Sequence, residues 1–512
     1  MAGRAACCAV NNVNNKKIVH PKRSKDQMTL PDCAIMAGSI GAKTNTTMTT
    51  GTATPSCLIT AADIACIDPL IGNDLCPLLR QFGTAMSKAR FDDARGLIES
   101  FRGTRVPISA SAEDSLCHLL LSACIQIVKA ESAYYSLNFM VPKAFFRRES
   151  TLLLTYTQIK AELCRMDGVM GNTKISAAED IRRRLIDFTS ARVSMINVYN
   201  SFLVENFGLP SELTALTTVL SSVEHLLTLL VNHDSLTSLF TFVADEIVVM
   251  KLLLEVQLAL IRCEFLQSLI KLKSAYVKLR SWFSSVGYKH TLTKTTVKFF
   301  GFGPQVQFSP LRLCSWTYEF YMLLLAKFSL YFHDSLQPQC STGDFDHTVS
   351  AMKSPNFVQL FATFRRRTEP LCILLIANRC NAPDISPLIG YDCAADLDDG
   401  EGELRKKFLI FFKVGGEGKE VNVLLPSISI LIQETSAKKS GTDRITYCYD
   451  QLMSRSFFVL PVEYNLYVSI IFDRRVSERD NTVHISLRLH DEQTLLYPLT
   501  YLSKYGCFSE TQ

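Results

Sequence analysis

The stretch Leu226–Leu272 constrains this chain more than any other feature. It is apolar enough to invite a membrane reading, and a spanning helix needs about 18–20 apolar residues in a row. Yet His233, Asp234, Asp245, Glu246, Lys251, Glu255, Arg262 and Glu264 interrupt it. A second rich run, Tyr318–Leu336, is broken by Glu319, Lys327, His333 and Asp334. Neither is a plausible span. Both read as long helices buried on more than one side, which requires several packed helical layers. The composition agrees: 47% of the 512 residues are apolar and 20% charged, the balance of a folded chain that buries a core. At roughly 100–200 residues per domain, the length suggests two to four domains.

The first 70 residues differ from the rest. They are rich in Ala, Thr, Asn and Gly, with the run Thr44–Thr52, and show no helical or alternating period. They read as a disordered lead. Its basic cluster, Lys16, Lys17, Lys22, Arg23 and Lys25, has the makings of a nuclear import signal, but a solvated tail is the commoner explanation. From Leu75 to Leu336 the period is helical. Leu116, Leu119, Leu120, Cys124, Ile127 and Val128 share one face, behind cap residues at Ser111–Asp114. Further helices are expected over Phe145–Met166, from after Ser176 to about Phe207, from Ser211 onward, within Leu236–Trp282, and over Leu313–Leu336; residues 283–313 read as a loop. After Pro338 an amphipathic helix, Phe345–Arg367, leads to a strand at Leu371–Ala377 and an acidic loop at 379–404. Runs of β-prone residues follow at Phe408–Val414, Ile428–Gln433, Ile445–Tyr449, Phe457–Leu460 and Leu466–Phe472. The expected architecture is a lead over 1–70, an all-α helical bundle over 71–340, and a small α+β domain with a mostly antiparallel sheet over 341–512.

No motif rises to an active site, a cofactor site or a metal site. The 54 basic and 49 acidic side chains leave +5, which gives no electrostatic case for nucleic acid. The 17 cysteines are odd in number, many lie in apolar helical runs (Cys117, Cys124, Cys164, Cys263, Cys314), and no C-x-x-C pair occurs; they read as buried reduced thiols. His225 and His233 are two turns apart, too far and too few for zinc. Asp396–Glu403 looks like a calcium loop, but the glycine and the closing glutamate fall out of register. Gly301–Pro304 is too short for a dinucleotide fingerprint. Gly415–Lys419 lacks the Lys-Ser or Lys-Thr of a phosphate loop and leads to a β-prone run, so a hairpin turn is expected. His333–Asp334 has no nucleophile nearby. The aromatic runs Tyr134–Tyr135, Trp316–Tyr321 and Tyr331–Phe332 are ordinary core packing. Arg365, Arg366 and Arg367 suit the C-terminal end of a helix dipole and are also the candidate contact for an acidic partner or lipid headgroup.

Four stretches together resemble one family. They are Ala144–Ser150; Glu264–Leu266 through Ser274–Trp282; Met322 through Leu325–His333; and Tyr467–Asp473 through Ser477–Asp480, of which the third is the most specific. In order and spacing they resemble the KICSTOR complex subunit 2 family over about residues 75–490. The lead and the acidic loop depart from its pattern, and the match is weak after Ser486. The resemblance implies a helical N-terminal domain, an α+β C-terminal domain and no catalytic residues. It also implies membership of an assembly with a kaptin-like protein, an FG-GAP repeat protein and a very large seizure-threshold protein. That assembly holds the GATOR GTPase-activating complex at the lysosome and restrains mTOR complex 1 when nutrients are scarce. The expectation is therefore a cytoplasmic scaffold, peripheral at the lysosomal membrane through its partners, with no cofactor. Two other readings compete. One is a small-molecule binder or enzyme using the α+β domain; the other is a peripheral membrane tether acting through the basic lead or the Arg365–Arg367 triplet.

Overall fold

The computed structural model describes residues 72–104, 112–137, 151–165, 177–204, 212–229, 236–288, 296–299, 302–306, 311–333, 357–380, 404, 407–416, 418–437, 445–463 and 465–477. The lead, most of the acidic loop at 379–404, and the chain after 477 lie outside them. Among the described residues, nine helices make up the first layer: α1 Gly72–Ser87, α2 Phe91–Thr104, α3 Ala112–Tyr135, α4 Thr151–Arg165, α5 Ala177–Val204, α6 Glu212–Leu229, α7 Thr237–Ile261, α8 Phe265–Ser285 and α9 Arg312–Tyr331. The acidic first turns of α2 (Asp92, Asp93) and α5 (Glu179, Asp180) complement the helix dipole. Glu179 also receives Arg182 and Arg183 at 2.7 and 2.9 Å.

Three of these helices stop without glycine. Ala89, Leu137 and Cys263 carry φ of 51, 55 and 61°, the left-handed conformation that ends a helix and returns its last carbonyls to backbone donors. At the third stop, Cys263 N–H donates to Leu260 O at 3.0 Å and Glu264 N–H to Ala259 O at 2.9 Å. The stretch Leu236–Trp282 is thus two helices, α7 and α8, packed against each other. In α7 the buried positions encircle the axis, from Leu239, Phe240 and Phe242 to Leu260 and Ile261, as the interrupted apolar run predicts. In α9 every residue from Phe320 to Tyr331 is buried.

The second layer is a five-stranded sheet. Its strands are β3 Cys372–Asn378, β4 Phe408–Gly415, β5 Thr446–Asp450, β6 Arg455–Glu463 and β7 Leu466–Phe472, preceded by α10 Phe357–Thr368. The order is β4-β3-β7-β6-β5, every neighbour antiparallel. Helix α11, Gly418–Ala437, crosses one face between β4 and β5. Strand β3 is buried along its whole length. Cys372, Leu374 and Ile376 pack under α11, whereas Ile373, Leu375 and Ala377 join the core of the helical layer. This is the period-2 alternation of a strand with both faces covered. The helical layer meets the sheet through rings: Tyr331 stacks on Phe411 at 5.9 Å, and Phe361 tilts against Phe412 at 5.6 Å.

The helical domain followed by an α+β unit with an antiparallel sheet is as expected, with local differences. Residues 283–313 are not all loop: α8 continues to Ser285, and a hairpin, β1 Thr296–Phe299 with β2 Phe302–Val306, lies within. The run Ile428–Gln433 is helix, not strand. Val421, Leu424, Leu425, Ile428, Leu431 and Ile432 are the buried stripe of α11, so helical spacing against the sheet overrides β-branched propensity. On α3, Leu119 is 45% exposed while its neighbour Leu121 is buried, a rotation of the apolar face by part of a turn. The described part of the Phe145–Met166 helix is Thr151–Arg165, and that of Phe345–Arg367 begins at Phe357.

Candidate functional site

The arginine triplet follows from the amphipathic pattern of α10. Phe357, Phe361, Phe364 and Thr368 are buried at helical spacing, which turns Arg365, Arg366 and Arg367 to solvent in the last turn. There they complement the negative end of the helix dipole. Arg366 Nε donates to Ala362 O at 3.4 Å. The end of α10 runs directly into β3, so the triplet sits at the end of the sheet where β3 begins and β4 and β7 finish.

Other cations reach the same end. Arg474, just past β7, donates from Nη2 to Thr368 O at 2.9 Å and from Nη1 to Glu369 O at 3.3 Å, taking up carbonyls that α10 leaves open. Arg455 opens β6 and donates to Glu420 of α11 at 2.8 Å. Arg475 lies over the Tyr449 ring at 5.1 Å. Lys413 is exposed on β4. Among the described residues this rim holds seven basic side chains (Arg365, Arg366, Arg367, Lys413, Arg455, Arg474, Arg475) against four acidic ones (Glu369, Glu420, Asp450, Asp473). It is a positive surface in a chain that is close to neutral.

Gly415 and Gly416 shape this rim. Both take positive φ, 81 and 69°, and a Cβ at Gly415 would lie 2.7 Å from Leu371 O and 3.0 Å from the Arg365 guanidinium carbon. Only glycine allows that approach. The segment Gly415–Lys419 therefore joins β4 to α11, and the expected hairpin turn is a strand-to-helix turn. The remaining candidates scatter. His225 is exposed on α6; His233, Asp334 and Asp396–Glu403 lie outside the described residues. Gly303 and Pro304 fall in β2. His333 is packed edge-on to Phe412 at 5.3 Å. The aromatic runs are core, as read. Among the described cysteines, Cys117, Cys124 and Cys314 are buried, but Cys164 is exposed rather than buried.

The sequence reading missed the most organised polar group in the molecule. Arg192 of α5 is fully buried between Glu131 of α3 and Glu246 of α7. Its Nε and Nη2 donate to both oxygens of Glu131 at 2.7 and 2.8 Å, and Nη1 donates to Glu246 Oε2 at 2.5 Å. Tyr156 of α4 donates to Glu131 at 2.6 Å; Tyr134 and Tyr199 donate to Glu246 at 2.6 and 3.0 Å. The guanidinium also lies 4.3 Å from the Tyr134 ring centre. Burial alone would lower the Arg192 pKa, but the two carboxylates outweigh it and hold it well above its ordinary value. Burial raises Glu131 despite Arg192 beside it. Burial, and then the neighbouring carboxylates, push Tyr134, Tyr156 and Tyr199 well above the usual phenol range. The three phenols stay protonated, and together with Arg192, Glu131 and Glu246 they are sealed from water. They fasten four helices together and offer no reacting atom to a substrate. One sign was legible: Glu246 interrupts an apolar run at a position surrounded by buried residues.

Comparison with known proteins adds the family. The model for the family described as "KICSTOR complex C12orf66 like" matches residues 75–493, past Ser486, where the resemblance read from the sequence faded. A KICSTOR subunit 2 of Danio rerio is 23% identical over 434 residues, covering 81% of this chain and 94% of the relative. A KICSTOR subunit 2 of Xenopus laevis is 24% identical over 416 residues, covering 79% and 90%.

Proposed function

Since the chain belongs to the KICSTOR complex C12orf66 like family, we propose that it is a non-catalytic scaffold subunit of a KICSTOR-like complex. In this reading it joins a kaptin-like protein, an FG-GAP repeat protein and a large seizure-threshold protein. The assembly tethers the GATOR complex to lysosomes and restrains mTOR complex 1 signalling when amino acids are scarce. The subunit is cytoplasmic and reaches the lysosomal membrane through its partners. The family match along nearly all the described structure carries this proposal. The sealed interior supports it: the ionisable cluster with the strongest geometry braces helices instead of facing a cleft.

A scaffold needs a rigid body and specific patches, and stable pairs bury about 1,200–2,000 Å². The helical layer supplies the body. Arg365, Arg366 and Arg367 are the candidate partner contact, because they are exposed on a helix end that is fixed to the sheet. Affinity purification of the tagged protein from fed and starved cells, with mass spectrometry, tests the reading. Recovery of a kaptin-like protein, an FG-GAP protein and a GATOR subunit supports it, and an R365E/R366E/R367E variant should lose part of that set. A chain recovered alone in both states would sink the assignment.

A further inference from the structure

The turn between β5 and β6 carries the most exposed apolar side chain described. Leu452 is 98% exposed and its neighbour Met453 37%. Single exposed apolar residues are common on proteins, so exposure alone decides nothing. This turn differs in being fixed and flanked. Asp450 Oδ1 accepts the Leu452 and Met453 N–H groups at 2.8 and 3.1 Å, and Ser454 closes the turn at φ 53°. Local hydrogen bonding of this kind holds the tip without help from core packing. Behind the tip stand Arg455, opening β6, and Arg475, held over Tyr449 of β5; Arg474 is next to Arg475 and tied to the end of α10. The described acidic groups near them are engaged: Asp450 in the turn, Glu420 with Arg455, and Asp473 at 4.0 Å from Arg474.

We propose that this end of the sheet docks on an anionic lipid surface, with Leu452 and Met453 entering the headgroup layer and the arginines behind them meeting lipid phosphates. An apolar tip projecting past a band of cations matches the order of layers in a leaflet, where charge lies outside and hydrocarbon inside. No described helix is long and apolar enough to cross a membrane, so such an attachment is peripheral. The arginine triplet lies on the same rim and adds to its positive field. The inference goes beyond the scaffold reading, in which membrane attachment comes through partners, and it does not depend on them.

The test uses the purified full chain and vesicle flotation. Vesicles of phosphatidylcholine alone are compared with vesicles containing about 30% phosphatidylserine, at about 0.05 and 0.5 M salt. The expected result is binding that requires phosphatidylserine and falls at high salt. L452D/M453D should weaken it with circular dichroism unchanged, since both positions are exposed. R366A/R367A/R475A should weaken it on the order of a hundredfold, about fivefold for each charge removed. Equal affinity for the two vesicle types, or wild-type binding by L452D/M453D, overturns the proposal. So does loss of complex assembly in L452D/M453D without any change in vesicle binding, which would assign the tip to a protein partner. Assembly with partners is read separately by affinity purification, so either proposal can fail alone.

Discussion

Replacing Arg192 with methionine tests the claim that the buried network fastens the helical layer. The substitution keeps an apolar stem but removes the cation that touches both Glu131 and Glu246. Breaking a buried pair by removing one partner costs about 3–5 kcal/mol, because an uncompensated charge stays inside. Two carboxylates are stranded here, but Tyr134, Tyr156 and Tyr199 still donate to them, and Glu131, which burial already raises, can take up a proton. Those reliefs keep the expected loss near ~3–5 kcal/mol rather than twice that. The relief depends on pH. Burial already raises Glu131, and without Arg192 its pKa rises further. A carboxyl whose folded pKa is raised contributes stability that is fully present below its unfolded pKa, near ~4.3, and that is lost as pH climbs through the folded value. Arg192→Met should therefore lose more at about pH 8 than at about pH 5.5. Urea unfolding can be followed by tryptophan fluorescence. The chain has two tryptophans, Trp282 of α8 and Trp316 of α9, and Trp316 packs edge-on to Tyr199 at 5.5 Å. A triple variant, E131Q/R192M/E246Q, should recover part of the loss, since no charge remains buried and the tyrosines keep acceptors. A loss under about 1 kcal/mol, or one that does not change with pH, would refute a charged network that braces the helices.

Two further outcomes follow from the same geometry. Gly415→Ala puts a methyl 2.7 Å from the Leu371 carbonyl at φ 81°, whereas Gly287→Ala meets only backbone strain at φ 68°, with nothing within 4 Å. Urea midpoints should show Gly415→Ala costing about 2–4 kcal/mol and Gly287→Ala about 1 kcal/mol; equal costs would show that the loop at Gly415 relaxes. Among the described cysteines, alkylation of the native chain followed by peptide mapping should label the exposed Cys164 and Cys380 first. Cys124 and Cys372, whose thiols burial pushes up to about 12 and about 11, should react only after unfolding.

Much of the fold was legible because long helices repeat their apolar residues and covered strands run apolar without a break. The runs at Leu371–Ala377, Phe408–Val414 and Leu466–Phe472 are strands within a residue of their expected ends. What stayed hidden had physical causes. Helix stops at Ala89, Leu137 and Cys263 use left-handed residues that carry no glycine signal. Helix α11 is rich in Ile and Val and holds Pro426, so its composition argues for strand while its spacing argues for helix. The β1–β2 hairpin sits among turn residues that read as loop. The buried network escaped because its members, at 131, 192 and 246, are far apart in sequence, and pairing across helices leaves no local pattern. The arginine triplet was visible, but its companions Arg455, Arg474 and Arg475 come from other strands and only the sheet brings them near.

The apolar run that first excluded a membrane span also explains why the helical layer and the sheet should unfold together. Helix α9 is buried on every side because α7 and α8 cover one face while α10 and β4 cover another. Its end interlocks with β4: Phe411 stacks on Tyr331 and meets Phe332 edge-on at 6.1 Å. The outer residues of the helical layer and the inner face of the sheet form one continuous core. Phe411→Ala removes the ring at that junction and should cost about 3–5 kcal/mol. Phe411 is in the sheet, but both tryptophans are in the helical layer, so fluorescence reports on the far side of the junction. With a shared core, the fluorescence and far-ultraviolet dichroism midpoints should fall together in Phe411→Ala. If the two regions fold as independent domains, dichroism will split into two transitions while the tryptophan midpoint keeps its wild-type position. In that case the continuous core contributes contact but no cooperativity.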